Sequence, residues 1–367
     1  MVWYLIMIDW IKKIIGKKPG FKKRVFVGVS GGVDSSVSAA LLRDAGYDVT
    51  GVFIRTWTPE WLPCTWRDER RDAMRVCAHL EIPFVELDLE QAYKTGVADY
   101  MIAEYRLGRT PNPDVMCNKM VKFGGFLDWA IAQGADYIAT GHYAQNKNNH
   151  LVKGFDNAKD QSYFLWTLTE KQLAHTLFPV GHLPKSRVRE LAKHYNLPTA
   201  VKKDSQGICF IGEVDMKQFL EHYIQTKDGN VLSTDGKIIG HHNGALLYTL
   251  GERHGFVITD KGTHDKPYYV IAKDLAENTI TVSQNPESES PQTILYKLGD
   301  TYFRNLDTNK KYTAQIRYHG DYKPCEIIHE GENYSIKFTE TDYSIARGQS
   351  VVIYDDDDVC IGGGIIA

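Results

Sequence analysis

Several things that this 367-residue chain lacks narrow what it is. Positive charge is not in excess: the formal net charge is −3, so no global attraction to nucleic acid exists and any RNA contact must come from local basic patches. The six cysteines (Cys64, Cys77, Cys117, Cys209, Cys325 and Cys360) form no C-x-x-C pair and no tight framework. That pattern suits a reducing cytosol, where thiols are chemical or merely buried. A bilayer-spanning run is missing too. The opening MVWYLIMIDWIKKIIGKKPGFKKR is interrupted by Asp9, and its positive charges follow the apolar part, the reverse of a secretory signal. Residues 1–23 read as an amphipathic appendage, or as extra sequence ahead of a true start at Met7 or later, and no membrane partner is expected. Two common nucleotide loops are also excluded: no Lys follows Gly32 as a Walker A loop requires, and Gly28, Gly31 and Gly32 are not spaced as G-x-G-x-x-G.

What is present begins at Arg24. An apolar strand-like run over 25–29 ends in Ser30-Gly31-Gly32, and a helix-like run over 35–45 follows at once, closed by Gly46. Glycines let successive N–H groups converge on an anion at the positive end of a helix, so the natural ligand of this turn is a phosphate. The hexapeptide Ser30-Gly31-Gly32-Val33-Asp34-Ser35, S-G-G-x-D-S, resembles the pyrophosphate loop of enzymes that cleave ATP to AMP and pyrophosphate. That likeness implies a grip on the leaving pyrophosphate and a role for Asp34 in organising magnesium.

From Arg24 to Tyr143 strand and helix patterns alternate, which predicts an α/β doubly wound parallel sheet with its ligand beyond the carboxyl ends of the strands. Residues 30–35, the stretch from Ile54, and Thr140-Gly141-His142-Tyr143 belong to that edge. Gly141 admits an adenine or ribose closely; His142 is equally a hydrogen-bonded loop histidine or a functional one. Two prolines in TPNPDVMCN stiffen a loop before a helix expected near Asn118, with Asp114 and Cys117 on one face. In KKDSQGICFIG, Cys209 stands in an apolar run flanked by glycines. Taken alone, a cysteine in either place is more often a small buried hydrophobe. The basic run 185–195 reads more readily as a solvated helix face than as an RNA platform. After Tyr223 short β-branched runs and turn signals predict a small mostly β domain over 225–266 and a β-barrel-like unit over 267–367. The run Asp355 to Asp358 reads as a charged hairpin turn rather than a metal site.

Taken together, VSGGVDSS, TPNPDVMCNKMVKFG, ADYIATGHYA, KDQSYFLWTL, FPVGHL, KKDSQGICFIGE, RYHGDYKPC and GQSVVIY with VCIGGGII resemble the bacterial MnmA family of tRNA-specific 2-thiouridylases, in order and over nearly the whole chain past residue 23. The resemblance implies an ATP-pyrophosphatase domain (24–224), a small central domain (225–266) and a C-terminal β-barrel domain (267–367), working in the cytoplasm as a monomer. It implies ATP contacts at Gly28, Val29, Ser30, Gly31, Gly32, Val33, Asp34, Ser35, Ser36, Ile54 and Gly141. Asn112, Pro113 and Asp114 are implied to meet the target base, with Asp114 assisting acid–base chemistry. Cys117 is implied as one active cysteine and Cys209 as the carrier of a persulfide; His142, Asp160, Gln161, Ser162, Arg317, Tyr318 and Gln349 are implied tRNA contacts. The implied partners are tRNA and a persulfide-donating sulfur-relay protein, and the implied cofactors ATP and Mg2+. An iron–sulfur cluster held by Asp114, Cys117 and Cys209 stays an alternative to a bare persulfide. Gln145, Gln206 and Ile54 depart from common family residues beside the chemistry, which bears on affinity or tRNA choice.

That chemistry is adenylation followed by sulfur transfer. The C2 oxygen of a uracil is a poor leaving group until it carries AMP, and a persulfide offers a terminal sulfur that can leave its carrier. Two other readings compete. A ligase acting on a small metabolite would need the phosphate loop but no paired thiols; a tRNA-binding module without catalysis would need neither cysteine.

Overall fold

The computed structural model describes residues 22–62, 66–204, 216–259, 266–289 and 294–367; Cys64, Cys209 and most of the expected appendage lie outside them. The chain divides into two units, one of residues 1–97, 114–213 and 358–360, the other of 98–113, 214–357 and 361–367.

The first unit is built on a parallel five-stranded sheet of order β3-β2-β1-β4-β7, with β1 Arg24–Gly28, β2 Asp48–Arg55, β3 Phe84–Asp88, β4 Tyr137–Ala139 and β7 Thr176–Leu177. This is the doubly wound sheet expected. Strand β1 is central and apolar on both faces, as a parallel strand covered on both sides must be. Val25 and Val27 are fully buried against a core shared with α1 (Val33–Asp44) and α2 (Trp66–His79). On the opposite face Phe26 packs on Trp129, ring centroids 5.4 Å apart. Helix α1 carries Asp34 in its first turn and Arg43 in its last, matching the helix dipole. Its buried Ser35, Ser36, Ser38, Ala39 and Ala40 are small enough to bring the helix close to the sheet.

Helical segments α3 (Glu90–Tyr93) and α4 (Tyr100–Arg106) flank a wider-turned segment at Lys94–Asp99. A longer helical run begins with α5 (Pro113–Cys117), continues through a wide-turned segment at Asn118–Phe126 and ends in α6 (Leu127–Ala132). Its start is five residues earlier than expected near Asn118. Pro113 takes the first helical position, where a missing N–H costs nothing and a fixed φ helps. Past β4, strands β5 (Ala144–Lys147) and β6 (His150–Lys153) form a hairpin whose turn residues Asn148 and Asn149 have φ of 53° and 66°. After them come α7 (Glu170–Ala174) and α8 (Lys185–His194).

The second unit contains α9 (Met216–Glu221), an antiparallel-rich sheet and a barrel. The sheet runs β10-β9-β8-β12-β11, from β8 (Gly229–Leu232), β9 (Ile238–His242) and β10 (Val257–Ile258) to β11 (Tyr269–Asp274) and β12 (Thr279–Ser283). The boundary expected between 266 and 267 therefore cuts through one sheet. The cause is non-local: β12 pairs in parallel with β8, with Ile280 opposite Val231, and nothing in the local sequence announces that pairing. The barrel closes as β13-β16-β15-β14-β17-β18, using β13 (Leu295–Phe303), β14 (Lys311–Gln315), β15 (Lys323–Glu330), β16 (Asn333–Phe338), β17 (Ser350–Tyr354) and β18 (Cys360–Ile366). The four aspartates 355–358 lie between its last two strands, where the Asp357 N–H donates to Asp355 Oδ1 at 3.0 Å.

Candidate active site

In a sheet of this order the chain winds in opposite directions from β1 and β4, and a crevice opens past their carboxyl ends. The loop after β1 and the loop after β4 meet there. Gly31 has φ +72°, and a Cβ on it would stand 2.6 Å from the Glu69 carbonyl oxygen, so only glycine fits. Gly32 is the N-cap of α1 and supplies no side-chain cap, which leaves the first turn of a 12-residue helix open to an anion. The serines brace the turn. Ser36 Oγ donates to the Gly32 carbonyl at 2.6 Å, the Ser30 N–H donates to Ser35 Oγ at 3.3 Å, and Thr199 Oγ1 donates to Ser36 Oγ at 3.1 Å. Across the crevice Gly141 lies so close that a Cβ would sit 2.7 Å from the Ser35 nitrogen. The expected nucleotide residues thus come together, with Ile54 near Gly28 on the neighbouring strand.

Asp34 is the acidic residue of the turn. Tyr143 Oη donates to its Oδ1 at 2.7 Å, and Lys185 Nζ, from the first position of α8, bonds both oxygens at 2.7 and 2.9 Å. Burial, and then the Asp34 charge, push the Tyr143 phenol far above its ordinary range, so it stays a donor. Lys185 also reaches Asp204 Oδ1 at 2.9 Å, Arg189 pairs with the same oxygen, and Lys159 meets Asp204 Oδ2 at 3.2 Å. Burial would raise the Asp204 carboxyl, but the hydrogen bonds and charges of Lys185 and Lys159 bring it down to about 2. Tyr143, Lys185 and Asp204 were not expected as site residues. One signal was available: a lysine opening a helix sits against the dipole and calls for an anionic partner.

Asp114 and Cys117 lie in α5, three residues apart and hence on one face of its first turn, as expected. Cys117 is fully buried, as are Val115 beside it and Asn118, whose Nδ2 donates to the Phe164 carbonyl at 3.1 Å. Cys209 lies outside the described residues, so its expected convergence with Cys117 does too. Among the described residues no three His, Cys, Asp or Glu side chains converge as a metal site.

Four side chains expected to contact tRNA are buried and internally bonded. His142 lies between Phe123 and Phe178, with Nδ1 2.7 Å from Thr140 Oγ1, and burial followed by the Lys122 charge drives its pKa well below the usual value. Asp160 Oδ1 accepts from the N–H groups of Gly154 (2.7 Å) and Ser162 (3.1 Å), and its Oδ2 accepts from Ser162 Oγ (2.8 Å). In the barrel, Gln349 Oε1 accepts from the Ala346 N–H at 2.8 Å. Each of these polar groups is satisfied from within the fold, as a buried polar group must be. Gln161 ties the same region together: the Tyr143 N–H donates to its Oε1 at 3.0 Å and its own N–H to the Tyr143 carbonyl at 2.8 Å. Arg317 is half-buried and donates from Nη2 to the Ser344 carbonyl at 2.7 Å and to the Leu250 carbonyl; Tyr318 stacks on His319, centroids 3.9 Å apart.

A parallel α/β domain whose glycine turn and uncapped helix start meet a second strand-end loop, followed by two β domains, defines a class of protein built to hold a phosphate-bearing ligand beside further modules. Family models described as tRNA methyl transferase HUP domain, tRNA methyl transferase PRC-barrel domain and aminomethyltransferase beta-barrel domain match residues 23–213, 217–284 and 300–366. Curated tRNA-specific 2-thiouridylases MnmA from Streptococcus thermophilus and Enterococcus faecalis are each 44% identical, over 94% of this chain and 95% of theirs. The chain belongs to the MnmA family of tRNA-specific 2-thiouridylases. Among solved structures, the NMN synthetase of Francisella tularensis matches 55% of this chain and 74% of its own at 20% identity and a TM-score of 0.37.

Proposed function

We propose that this chain is a tRNA 2-thiouridylase that uses ATP to activate the C2 oxygen of the wobble uridine and then replaces that oxygen with sulfur from a persulfide on Cys209. The observation that carries the reading is similarity to curated 2-thiouridylases at 44% identity across 94% of the chain. The phosphate turn and the Asp114/Cys117 pair supply what the chemistry requires. The family-model descriptions speak of methyl transfer, whereas an S-G-G-x-D-S turn with Cys117 and Cys209 suits adenylation and sulfur transfer.

In this scheme the turn of residues 30–35 and the amide end of α1 bind the pyrophosphate portion of ATP, and Gly141 leaves room for the nucleoside. The uracil C2 oxygen attacks the α-phosphorus; the bond to pyrophosphate breaks and its electron pair leaves with pyrophosphate. Asp34 fits the hold on a magnesium ion, since such an ion takes one or two protein carboxylates and otherwise phosphate oxygens and water; it would balance phosphate charge. Sulfur then bonds to C2 and the C2–O bond breaks, releasing AMP. Cys117 attacks the Cys209 sulfur and displaces the terminal sulfur as hydrosulfide, or forms the same disulfide after that sulfur has attacked directly. Either way the two thiols end oxidised and the uridine carries the sulfur. Asn112, Pro113 and Asp114 position the base, and Asp114 moves its proton. Arg317, Tyr318 and Gln161 belong to the tRNA-facing surface, and a sulfur-relay protein loads Cys209. We place the reaction in the cytoplasm, by a monomer.

The test supplies unmodified tRNA, Mg2+ and ATP with a persulfide donor and a thiol reductant, which returns the Cys117–Cys209 disulfide to thiols, under anaerobic conditions, and reads nucleosides by mass spectrometry and iron by elemental analysis. Formation of 2-thiouridine with stoichiometric AMP, abolished in C209S and limited to less than one turnover in C117S, is expected. Full multiple-turnover activity of C117S refutes the thiol pairing. Activity that follows bound iron replaces the persulfide by a cluster held through Cys117 and Cys209.

A further inference from the structure

Beside the phosphate turn, three cations serve two carboxylates. Asp204 takes Lys185, Lys159 and Arg189, while Lys185 simultaneously bonds both oxygens of Asp34. These five side chains sum to one positive charge, which Asp156, whose Oδ2 accepts from the Lys185 N–H at 2.9 Å, offsets from beside them. Lys185 is the pivot: its side chain is 14% exposed, it opens α8 against the dipole of that helix, and it bridges the turn to Asp204. Were Lys185 to release Asp204, that carboxylate would keep Arg189 and Lys159, so the exchange leaves no unpaired buried charge. A buried ion pair gives way readily only under that condition.

We propose that Lys185 is a positioning residue for the pyrophosphate portion of ATP and that Asp204 is its internal competitor, the carboxylate that the terminal phosphates displace. The inference rests on the nucleotide reading above and adds to it the residue that meets those phosphates and the one that opposes them. A nucleotide phosphate is favoured over a phosphate of the RNA backbone because Lys185 is fixed to Asp34, inside the turn itself, at 2.7 Å. The consequence has an unusual sign. Removing the charge of Lys185 weakens pyrophosphate binding, whereas removing the charge of Asp204 strengthens it.

The experiment is calorimetric titration of the full chain with inorganic pyrophosphate, ATP and adenosine in Mg2+, and a filter-binding titration with tRNA. For K185M the expected result is at least a tenfold loss for pyrophosphate and ATP with less than a twofold change for adenosine, and K185R restores most of the loss. For D204N a gain of about threefold in pyrophosphate affinity is expected from the extra uncompensated charge near the turn. Unchanged pyrophosphate binding in K185M, or weakened binding in D204N, overturns the proposal. A K185M defect seen for tRNA and not for pyrophosphate overturns it too, assigning the lysine to the RNA backbone. Should K185M fail to fold by circular dichroism, the D204N sign decides alone. Failure of the wild-type chain to bind either ATP or pyrophosphate would instead remove the nucleotide reading on which the proposal stands.

Discussion

Gly31 and Gly32 are neighbours with the same side chain, and the structure gives them different reasons to be glycine. Gly31 lies in the left-handed region at φ +72°, and an added Cβ would stand 2.6 Å from the Glu69 carbonyl oxygen and 3.0 Å from Asp72 Cβ. The first obstacle is backbone of α2, which cannot rotate aside. An alanine in the left-handed region costs ~1–2 kcal/mol, and forcing a methyl into a filled space ~1–3 kcal/mol, so G31A is expected to lose about 2–5 kcal/mol. Gly32 sits at φ −90°, and its Cβ would meet Ser30 Oγ at 3.4 Å, an ordinary contact. G32A therefore loses about 1 kcal/mol or less, the difference between glycine and alanine at an N-cap. At ~2–4 °C per kcal/mol for a domain of this size, calorimetry should read a fall in Tm of roughly 4–20 °C for G31A and under about 4 °C for G32A. Both variants should bind ATP at least tenfold more weakly, since either methyl stands where a phosphate must approach the amides. Equal Tm losses in the two variants would refute the assignment of strain to Gly31 alone.

Four further outcomes follow from the same geometry. Tyr143→Phe removes one hydrogen bond to a charged carboxylate, worth ~1.5 kcal/mol, and should weaken Mg2+-dependent ATP binding about tenfold by calorimetry while far-ultraviolet circular dichroism stays unchanged. Gly51→Ala places a methyl 2.3 Å from the Cys77 sulfur and should lower stability by ~1–3 kcal/mol in urea unfolding; adding Cys77→Ala should recover part of that, and additive losses would contradict the packing. Burial lowers His182 to about 4 and, with the Lys122 charge acting the same way, holds His142 well below its ordinary value. The unfolded chain thus binds more protons than the folded one below pH 6.5, and stability should fall between pH 6.5 and 4; His182→Gln should flatten the fall in urea midpoint. Cys77 and Cys325 are buried, and burial pushes their thiols up to about 11 and about 12, so mass spectrometry should find both slow to react with iodoacetamide until the chain is unfolded.

Local signals carried the first half of the molecule. Strand β1, its glycine turn and α1 were legible because an apolar run, two glycines and a helical run follow one another without a gap, and the sheet class followed from alternation. The start of α5 lies earlier than the sequence suggests because Pro113, the second proline of TPNPD, reads as loop, although proline is at home in the first helical position. The extent of the central sheet was hidden by a parallel pairing between β8 and β12, about fifty residues apart in the chain. The same holds for the site. The turn could be read directly, but the meeting of Asp34 with Tyr143 and Lys185 spans 109 and 151 residues and leaves no local trace. Family resemblance named His142, Asp160, Ser162 and Gln349, yet could not reveal that their side chains are spent on internal hydrogen bonds, because burial is a property of the assembled fold.

The central claim is that the base oxygen itself becomes part of the adenylate. Unmodified tRNA carrying 18O at C2 of the wobble uridine, incubated with the full chain, Mg2+, ATP and a persulfide donor, tests it in one measurement by mass spectrometry of the released AMP. The account predicts one 18O in AMP for each 2-thiouridine formed. Label found in water or pyrophosphate, with AMP unlabelled, would contradict it.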